Sequence, residues 1–236
     1  MKVLVTGAAG FIGSHTVDAL LDRGDDVVAV DNFNDYYSPR RKHANLAPRI
    51  GHPRCTVVEA DVRDTATLGG LFEQEIEAVI HLAAMANVRY SIGRAPLYYD
   101  VNVRGTLNLL ELAVQHQIGR FVFASTSSVY GRTQQLPFVE DDPCNQPLAP
   151  YPATKKTCEL LGYTYHNLHQ LNFTALRFFS VYGPRGRPDM MPFMVTQRIV
   201  RDETIVLFDA GRMRRDWTFI DDIVAGVLAA VDRPIG

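Results

Sequence analysis

Six short apolar runs, separated by segments of helix length, constrain the fold of this chain more than any other feature. The runs are KVLVT, DDVVAVD, CTVVEAD, EAVIHLAA, RFVFAST and FTALRFF. The stretches between them include residues 11–23, 65–74, about 96–116 and 151–170, which have the amphipathic pattern of helices. Almost continuously apolar strands are typical of parallel sheets, because crossover helices cover both faces. The sequence therefore predicts an α/β fold with a doubly wound parallel sheet.

Composition and charge exclude several classes of partner. The chain has 24 Lys and Arg against 26 Asp and Glu, so a net charge of −2 gives it no general attraction for nucleic acid. Its apolar runs are far shorter than the ~20 residues of a membrane-spanning helix, and residues 1–13 lack the pattern of a signal peptide. We expect a cytoplasmic protein that binds neither nucleic acid nor membrane.

Cysteine and histidine spacing predicts neither disulfides nor a metal. Cys55, Cys144 and Cys158 show no paired spacing and are interpreted as packing thiols. His166 and His169 have the spacing of helical metal ligands, but the sequence offers no third ligand.

A glycine-rich turn follows the first predicted strand and opens the first helix. Its glycines, Gly7, Gly10 and Gly13, have the spacing GxxGxxG. Glycines let the backbone approach a pyrophosphate, and a helix N-terminus offers free N–H groups and a partial positive charge. The second strand ends at Asp31, where an acid that binds the adenosine ribose is expected. Because its carboxylate would repel a 2′-phosphate, the sequence predicts NAD rather than NADP, bound by a Rossmann domain at residues 1–180.

The pattern changes in residues 181–236, which are predicted to begin a smaller substrate-binding region. This segment contains the Pro- and Gly-rich loop YGPRGRPDMMP, a predicted helix at 192–201 and predicted strands around 204–208 and 215–220. Part of it can return to the first domain. Two charged runs are interpreted as structural: Arg40-Arg41-Lys42 as the solvated start of a helix, and Asp221-Asp222 as a helix N-cap.

A tyrosine and a lysine four residues apart form the candidate catalytic pair. Tyr151 and Lys155 fall on one face of the predicted helix at 151–170. A phenol has an ordinary pKa of about 10, and a nearby cation favours the phenolate, so Lys155 and a positive nicotinamide ring are expected to prepare Tyr151 as a base. Upstream, the strand RFVFAST ends in hydroxyl residues at its carboxyl end, where open α/β sheets bind ligands.

These motifs resemble the extended short-chain dehydrogenase/reductase superfamily, and the resemblance runs from Met1 to about Arg233. TGAAGFIGSH, HLAA, STSSVYG, YPATK and RDWTFIDD occur in that family's order and spacing. Within it the chain resembles the NAD-dependent nucleotide-sugar epimerases, and DNFNDYY, VRYSI and LRFFSVYGPRGRPDM are most similar to UDP-glucuronate 4-epimerases. The family continues beyond the position of Gly236, so we expect the C-terminal part of its pattern to be absent here.

The resemblance implies C4 epimerisation of a UDP-sugar, with conversion of UDP-glucuronate to UDP-galacturonate as the leading candidate. Tyr151, assisted by Thr126, would take the C4 hydroxyl proton while hydride moves to bound NAD, and the 4-keto sugar would then receive the hydride on its opposite face. Lys155 is implied to partner Tyr151 and to hold the nicotinamide ribose. Because the cofactor is regenerated, we expect tight retention.

Two hydroxyls favour epimerisation over related reactions. Ser127 and Ser128 stand where hexose dehydratases and UDP-glucuronate decarboxylases carry acids. A hydroxyl with an unshifted pKa is a poor general acid near neutrality, and serines bonded to a carboxylate would restrain its loss as carbon dioxide. Arg215 matches the family's diphosphate-contacting arginine. The predicted substrate contacts are Arg89, Ser127, Ser128, Ser180, Arg187 and Arg215. The predicted cofactor contacts are Gly7, Gly10, Phe11, Ile12, Gly13, Asp31, Asn32, Asp61, Val62, Leu82, Ala83, Ala84, Asn102, Tyr151 and Lys155.

Three alternatives remain open: a UDP-glucose or UDP-N-acetylglucosamine 4-epimerase, a relative resembling UDP-glucuronate decarboxylases, and a non-catalytic NAD-binding protein. Because the relatives often dimerise through the helices corresponding to 96–116 and 151–170, a homodimer is expected.

Overall fold

A six-stranded parallel sheet forms the centre of the computed structural model, which describes residues 1–233 apart from the side chains of residues 208 and 209. The strands are β1 (Lys2–Thr6), β2 (Asp26–Asp31), β3 (Cys55–Glu59), β4 (Ala78–His81), β5 (Arg120–Thr126) and β6 (Phe173–Phe178). Their order across the sheet is β3-β2-β1-β4-β5-β6, and neighbouring strands run parallel. The predicted doubly wound α/β fold is confirmed.

Helices cover both faces of this sheet. They are α1 (Phe11–Arg23), α2 (Pro39–Leu46), α3 (Thr65–Phe72), α4 (Val88–Ser91), α5 (Ala95–Tyr98), α6 (Gly105–Gln115), α7 (Pro150–His169), α8 (Met191–Val200) and α9 (Ile220–Asp232). A π-helical segment, Tyr99–Arg104, joins α5 to α6. Successive strand side chains point to opposite faces: Val3 and Val5 of β1 lie in one buried cluster and Leu4 lies in the other. Both faces of the strand are therefore dry, which explains its uninterrupted apolar sequence.

The segment after β6 forms a small second sheet and then returns to the first. Strand β7 (Ser180–Tyr182) pairs in parallel with β8 (Trp217–Phe219). Helix α9 follows, and its Val227 and Val231 share a buried cluster with Val17 and Leu20 of α1. The final three residues of the predicted region 181–236 lie outside the described residues.

Two local predictions are wrong. Residues 204–207 form an irregular loop instead of a strand. Val206 is 71% exposed and Leu207 is 58% exposed, so no neighbouring strand shelters them. Asp221 and Asp222 lie in the first turn of α9, and the N-cap is Phe219. Their negative charge still faces the positive end of the helix dipole.

Predictions from the sequence also concern the cysteines, His166 and membrane-spanning helices. The three cysteines are free thiols. The Nδ1 atom of His166 lies 3.0 Å from the carbonyl oxygen of Leu171. Residues 1–233 contain no helix with the length and apolarity needed to cross a bilayer.

Candidate functional site

A cavity of about 840 Å³ opens at the carboxyl ends of the strands. The sheet order changes direction between β1 and β4, and open α/β sheets bind ligands at such a point. The cavity is lined by the glycine turn after β1, by the ends of β2, β4 and β5, by the first turns of α7, and by residues between β7 and β8.

The glycine turn packs closely against its own backbone and against the loop after β4. Gly7 has a φ of +69°, and a Cβ atom there would lie 2.7 Å from the Ala83 nitrogen. A Cβ atom on Gly13 would lie 2.1 Å from the Gly7 oxygen. Helix α1 begins at Phe11, and the N–H groups of a first helical turn have no partner within the helix. These features fit a dinucleotide whose pyrophosphate lies at the N-terminus of α1.

An aspartate held by backbone N–H groups lies at the end of β2. The side-chain oxygens of Asp31 accept hydrogen bonds from Ala9 N (3.0 Å) and Phe33 N (2.9 Å). Burial raises the pKa of Asp31, and the Lys42 charge and the two backbone bonds oppose this rise. Asp31 lines the cavity, so the carboxylate is placed where the ribose of a dinucleotide fits.

Lys42 is buried, and its predicted solvated position is wrong. The residue is 4% exposed, and its Nζ atom donates a 2.9 Å hydrogen bond to Asn34 Oδ1. The same nitrogen lies 4.0 Å from Asp31 Oδ1 and 5.0 Å from the centre of the Tyr37 ring. Because α2 begins at Pro39, this position turns towards the cavity while the preceding two arginines remain exposed. Of the three consecutive basic residues, two are exposed as predicted and Lys42 is buried.

The three residues of the proposed catalytic set line the same cavity. Thr126 ends β5, and Tyr151 and Lys155 lie in the first turns of α7. Lys155 is 2% exposed, and its Nζ atom donates a 2.7 Å hydrogen bond to the Ala124 carbonyl. Burial lowers the pKa of Lys155 to about 8. The ammonium is thus anchored to β5 in the wall of the cavity.

The charge that acts on the Tyr151 phenol comes from an arginine distant in sequence. Burial raises the pKa of Tyr151, and the Arg187 charge and the Thr126 hydroxyl oppose this rise. The sequence argument had assigned this role to Lys155 together with a bound, positive nicotinamide ring. In the structure Lys155 is bonded to a carbonyl, and the Arg187 guanidinium is the opposing charge.

Arg187 is held by a cluster of loops that sequence reasoning missed. Asp189 accepts hydrogen bonds from Arg187 Nε (3.0 Å) and Nη2 (2.7 Å), from Tyr36 Oη (2.9 Å) and from Asn87 Nδ2 (3.1 Å). Burial alone would raise the pKa of Asp189, but the Arg187 contact outweighs it and the pKa is lowered. We call these four residues the Asp189 cluster. It joins the loops after β2 and β4 to the loop after β7, and no spacing in the sequence signals the contact.

The predicted substrate contacts all line the cavity, and most predicted cofactor contacts do so as well. The substrate set is Arg89, Ser127, Ser128, Ser180, Arg187 and Arg215. The cofactor residues in the lining are Gly7, Gly10, Phe11, Ile12, Gly13, Asp31, Asn32, Val62, Leu82, Ala83, Ala84, Tyr151 and Lys155.

Asp61 and Asn102 lie behind this lining. The Asp61 carboxylate accepts hydrogen bonds from Arg63 and from Asn32 Nδ2 (2.8 Å), and the Arg63 contact lowers the pKa of Asp61 to about 2. Asn102 is 1% exposed; its Oδ1 accepts from Met85 N (2.8 Å), and its Nδ2 donates to the Met85 carbonyl (3.0 Å) and the hydroxyl of Thr154 (3.0 Å). Both side chains support cavity residues in this structure.

Comparisons with known proteins agree with this geometry. Residues 3–235 match the family model described as the NAD dependent epimerase/dehydratase family. UDP-glucuronate 4-epimerase 4 of Arabidopsis thaliana is 46% identical over 98% of this chain, which spans 54% of that relative. Protein CapI of Staphylococcus aureus is 43% identical over 99% of this chain and 70% of its own length.

A solved structure is also similar to this chain over almost its whole length. The UDP-glucuronic acid 4-epimerase of Bacillus cereus, in complex with UDP-glucuronic acid and NAD, matches with a TM-score of 0.91 and 37% identity. The match covers 99% of this chain and 74% of that protein. On its sequence, its fold and the lining of its cavity, the chain belongs to the NAD dependent epimerase/dehydratase family.

Proposed function

We propose that this chain catalyses C4 epimerisation of a UDP-sugar, converting UDP-glucuronate to UDP-galacturonate with bound NAD. The observation that carries the proposal is the lining of one cavity. The glycine turn and Asp31 lie in it together with Thr126, Tyr151 and Lys155. The names of the Arabidopsis and Bacillus cereus relatives support the same substrate.

The proposed chemistry depends on proton transfer to and from the Tyr151 oxygen. When bound, NAD supplies a reversible hydride acceptor and a positive charge. Tyr151 takes the proton of the sugar C4 hydroxyl and later returns it, and the Thr126 hydroxyl orients that group. Because burial holds the phenol protonated in the nucleotide-free protein, a positive ligand is needed to bring its pKa into the working range. Lys155, anchored at Ala124, keeps its ammonium beside the proposed ribose position.

The same cavity offers neutral donors for a carboxylate. Ser127, Ser128 and Ser180 line it. Hydrogen bonds to a charged group contribute about 1.5–3 kcal/mol each, so two or three of them favour a uronate over a neutral hexose. No acid stands at positions 127 and 128 to promote elimination. This pattern supports epimerisation without decarboxylation.

Product analysis of the full chain tests the proposal. The protein is incubated with UDP-glucuronate, UDP-galacturonate, UDP-glucose and UDP-N-acetylglucosamine, and the stereochemistry of each product is determined. We expect interconversion of the two uronates with little UDP-pentose. Preferred turnover of the neutral sugars would support the hexose epimerase instead, and UDP-pentose as main product would support a decarboxylase.

Replacement of the proposed base tests the mechanism. Tyr151→Phe should lower kcat by about 10²–10⁴-fold, because general base catalysis contributes that much, and should leave NAD bound. Tyr163→Phe is the matched control, since this tyrosine lies on the same helix and is 70% exposed. A change in KM alone would mean that Tyr151 only binds substrate.

We also propose the domain division, a homodimer and a cytoplasmic location. Residues 1–180 form the cofactor domain and 181–236 the substrate region, with α9 returning to the cofactor domain. The homodimer is supported by apolar side chains exposed on the helices proposed to form its interface, namely Leu97, Leu107, Leu160 and Leu168. Three free thiols suit a reducing compartment. Light scattering of the purified chain gives its mass and tests the dimer.

A further inference from the structure

A buried cation in the cavity has no part in the proposed reaction. Lys42 lines the cavity beside Asp31, at the end assigned to the adenosine ribose. Buried lysines are rare unless they are paired, and the proposed catalysis uses only groups near Tyr151. The following inference rests on the proposed NAD site.

The geometry leaves both charged groups available to a ligand. Each Asp31 oxygen accepts one backbone N–H and retains further acceptor capacity. Lys42 Nζ lies 4.0 Å from Asp31 Oδ1, beyond hydrogen-bond distance. An ammonium has three donors, and among the described residues its hydrogen-bond acceptor is Asn34 Oδ1. The pair is therefore close enough to interact electrostatically without using up its hydrogen bonds.

The charges of this pair bear directly on the choice of cofactor. A buried carboxylate is costly without a nearby cation, and Lys42 supplies that cation for Asp31. In return, the Asp31 charge cancels most of the attraction that Lys42 would have for an anion. A neutral ribose diol is then accepted, whereas a 2′-phosphate meets a carboxylate and gains little from the lysine. We propose that Lys42 and Asp31 act as one specificity-determining pair, in which Lys42 is a latent 2′-phosphate ligand that Asp31 neutralises.

Competitive retention of the two nucleotides measures this specificity without any sugar substrate. The full chain is equilibrated with equal concentrations of NAD and NADP and separated from free nucleotide. It is then denatured, and the released nucleotides are quantified by chromatography. The ratio of the two nucleotides reports their relative affinities, so the result does not depend on epimerase activity.

Removing the carboxylate should expose the lysine. Asp31→Ser is expected to shift the retained ratio towards NADP by about a hundredfold. Adding Lys42→Met in that background should remove about tenfold or more of the shift, since a charge-assisted hydrogen bond corresponds to about tenfold to hundredfold in affinity. Adding Arg40→Met should leave the ratio within about twofold, because this arginine lies on the same helix and is exposed.

A second substitution of Lys42 keeps the test decisive if Lys42→Met does not fold. Lys42→Gln keeps a donor for Asn34 but removes the charge, and it should reduce the NADP shift about as much as Lys42→Met does. An Asp31→Ser shift that survives both lysine variants in folded protein would overturn the pairing and would leave the epimerase proposal intact. Retention of neither nucleotide by the wild-type chain would overturn the NAD site and this inference with it.

Discussion

The burial of Lys155 predicts that stability and function oppose each other at this residue. Its pKa falls from 10.5 to about 8 because the ammonium is removed from water. Each pKa unit corresponds to about 1.4 kcal/mol, so the folded chain holds this charge at a cost of about 3 kcal/mol. Lys155→Met removes the cost but leaves the Ala124 carbonyl without its donor, a loss of about 1–3 kcal/mol. Near pH 7 the variant should equal or exceed the wild type in stability by up to about 2 kcal/mol, while losing catalytic activity.

The pH dependence of unfolding gives a sharper test. Between pH 8 and 10.5 the unfolded chain still binds the Lys155 proton while the folded chain releases it, so wild-type stability rises with pH. The rise is about 2 kcal/mol between pH 7 and 9.5. Lys155→Met lacks this proton and should lack the rise. Titrations of groups that the Lys155 charge does not affect are common to both proteins and cancel in the difference. Because burial raises the pKa of the Cys158 thiol and the Lys155 charge opposes that rise, both proteins carry Cys158→Ala.

Urea unfolding of both proteins at the two pH values measures the effect. Nucleotide is first removed, because a ligand that binds only the folded state would stabilise the two proteins unequally. Lys156→Met is the control, since the neighbouring lysine is 19% exposed in its side chain and pairs with Glu159; it should keep the wild-type pH dependence. A wild-type-minus-Lys155→Met difference that is the same at pH 7 and 9.5 would refute the reasoning.

Three further predictions follow from the cavity lining. Combined Ser127→Ala and Ser128→Ala should slow uronate turnover and raise the fraction of decarboxylated product seen by chromatography; a product ratio like that of the parent would count against the carboxylate role. Asp189→Asn should raise KM for the uronate by about tenfold and should also lower Tm, because Arg187 loses its ionic partner and the loops lose part of their shared hydrogen bonding; an unchanged KM would separate the Asp189 cluster from substrate binding. Gly13→Ala should lower NAD retention and Tm, because its Cβ would meet the Gly7 oxygen at 2.1 Å, whereas Gly69→Ala meets nothing within 4 Å and should be neutral or stabilising; equal behaviour of the two variants would contradict the close-packed turn.

Local pattern was sufficient for the features that depend on neighbours in the chain. The six apolar runs specify parallel strands because strands buried on both faces cannot alternate polar and apolar residues. The glycine turn and Asp31 follow directly from the ends of β1 and β2, so their approach to one cavity was predictable from the strand order typical of such folds. Lys155 was also found from its spacing, although its depth was not.

Contacts between side chains that are far apart in the sequence could be identified only in the folded chain. Asn87 and Asp189 are separated by 102 residues and share one hydrogen bond, and the Arg187 charge reaches Tyr151 from a different loop. The sequence predicts Lys42 to be a surface residue, but in the structure α2 places its Nζ atom 4.0 Å from Asp31 Oδ1. The sheet, the glycine turn and the catalytic spacing could be predicted from the sequence, because these arise from periodicity and from contacts within one or two elements. The electrostatic partners of Tyr151 and Asp31 could not be predicted in this way. The strength of an interaction between two charged groups depends on their burial and on the distance between them, and local spacing in the sequence specifies neither for remote segments.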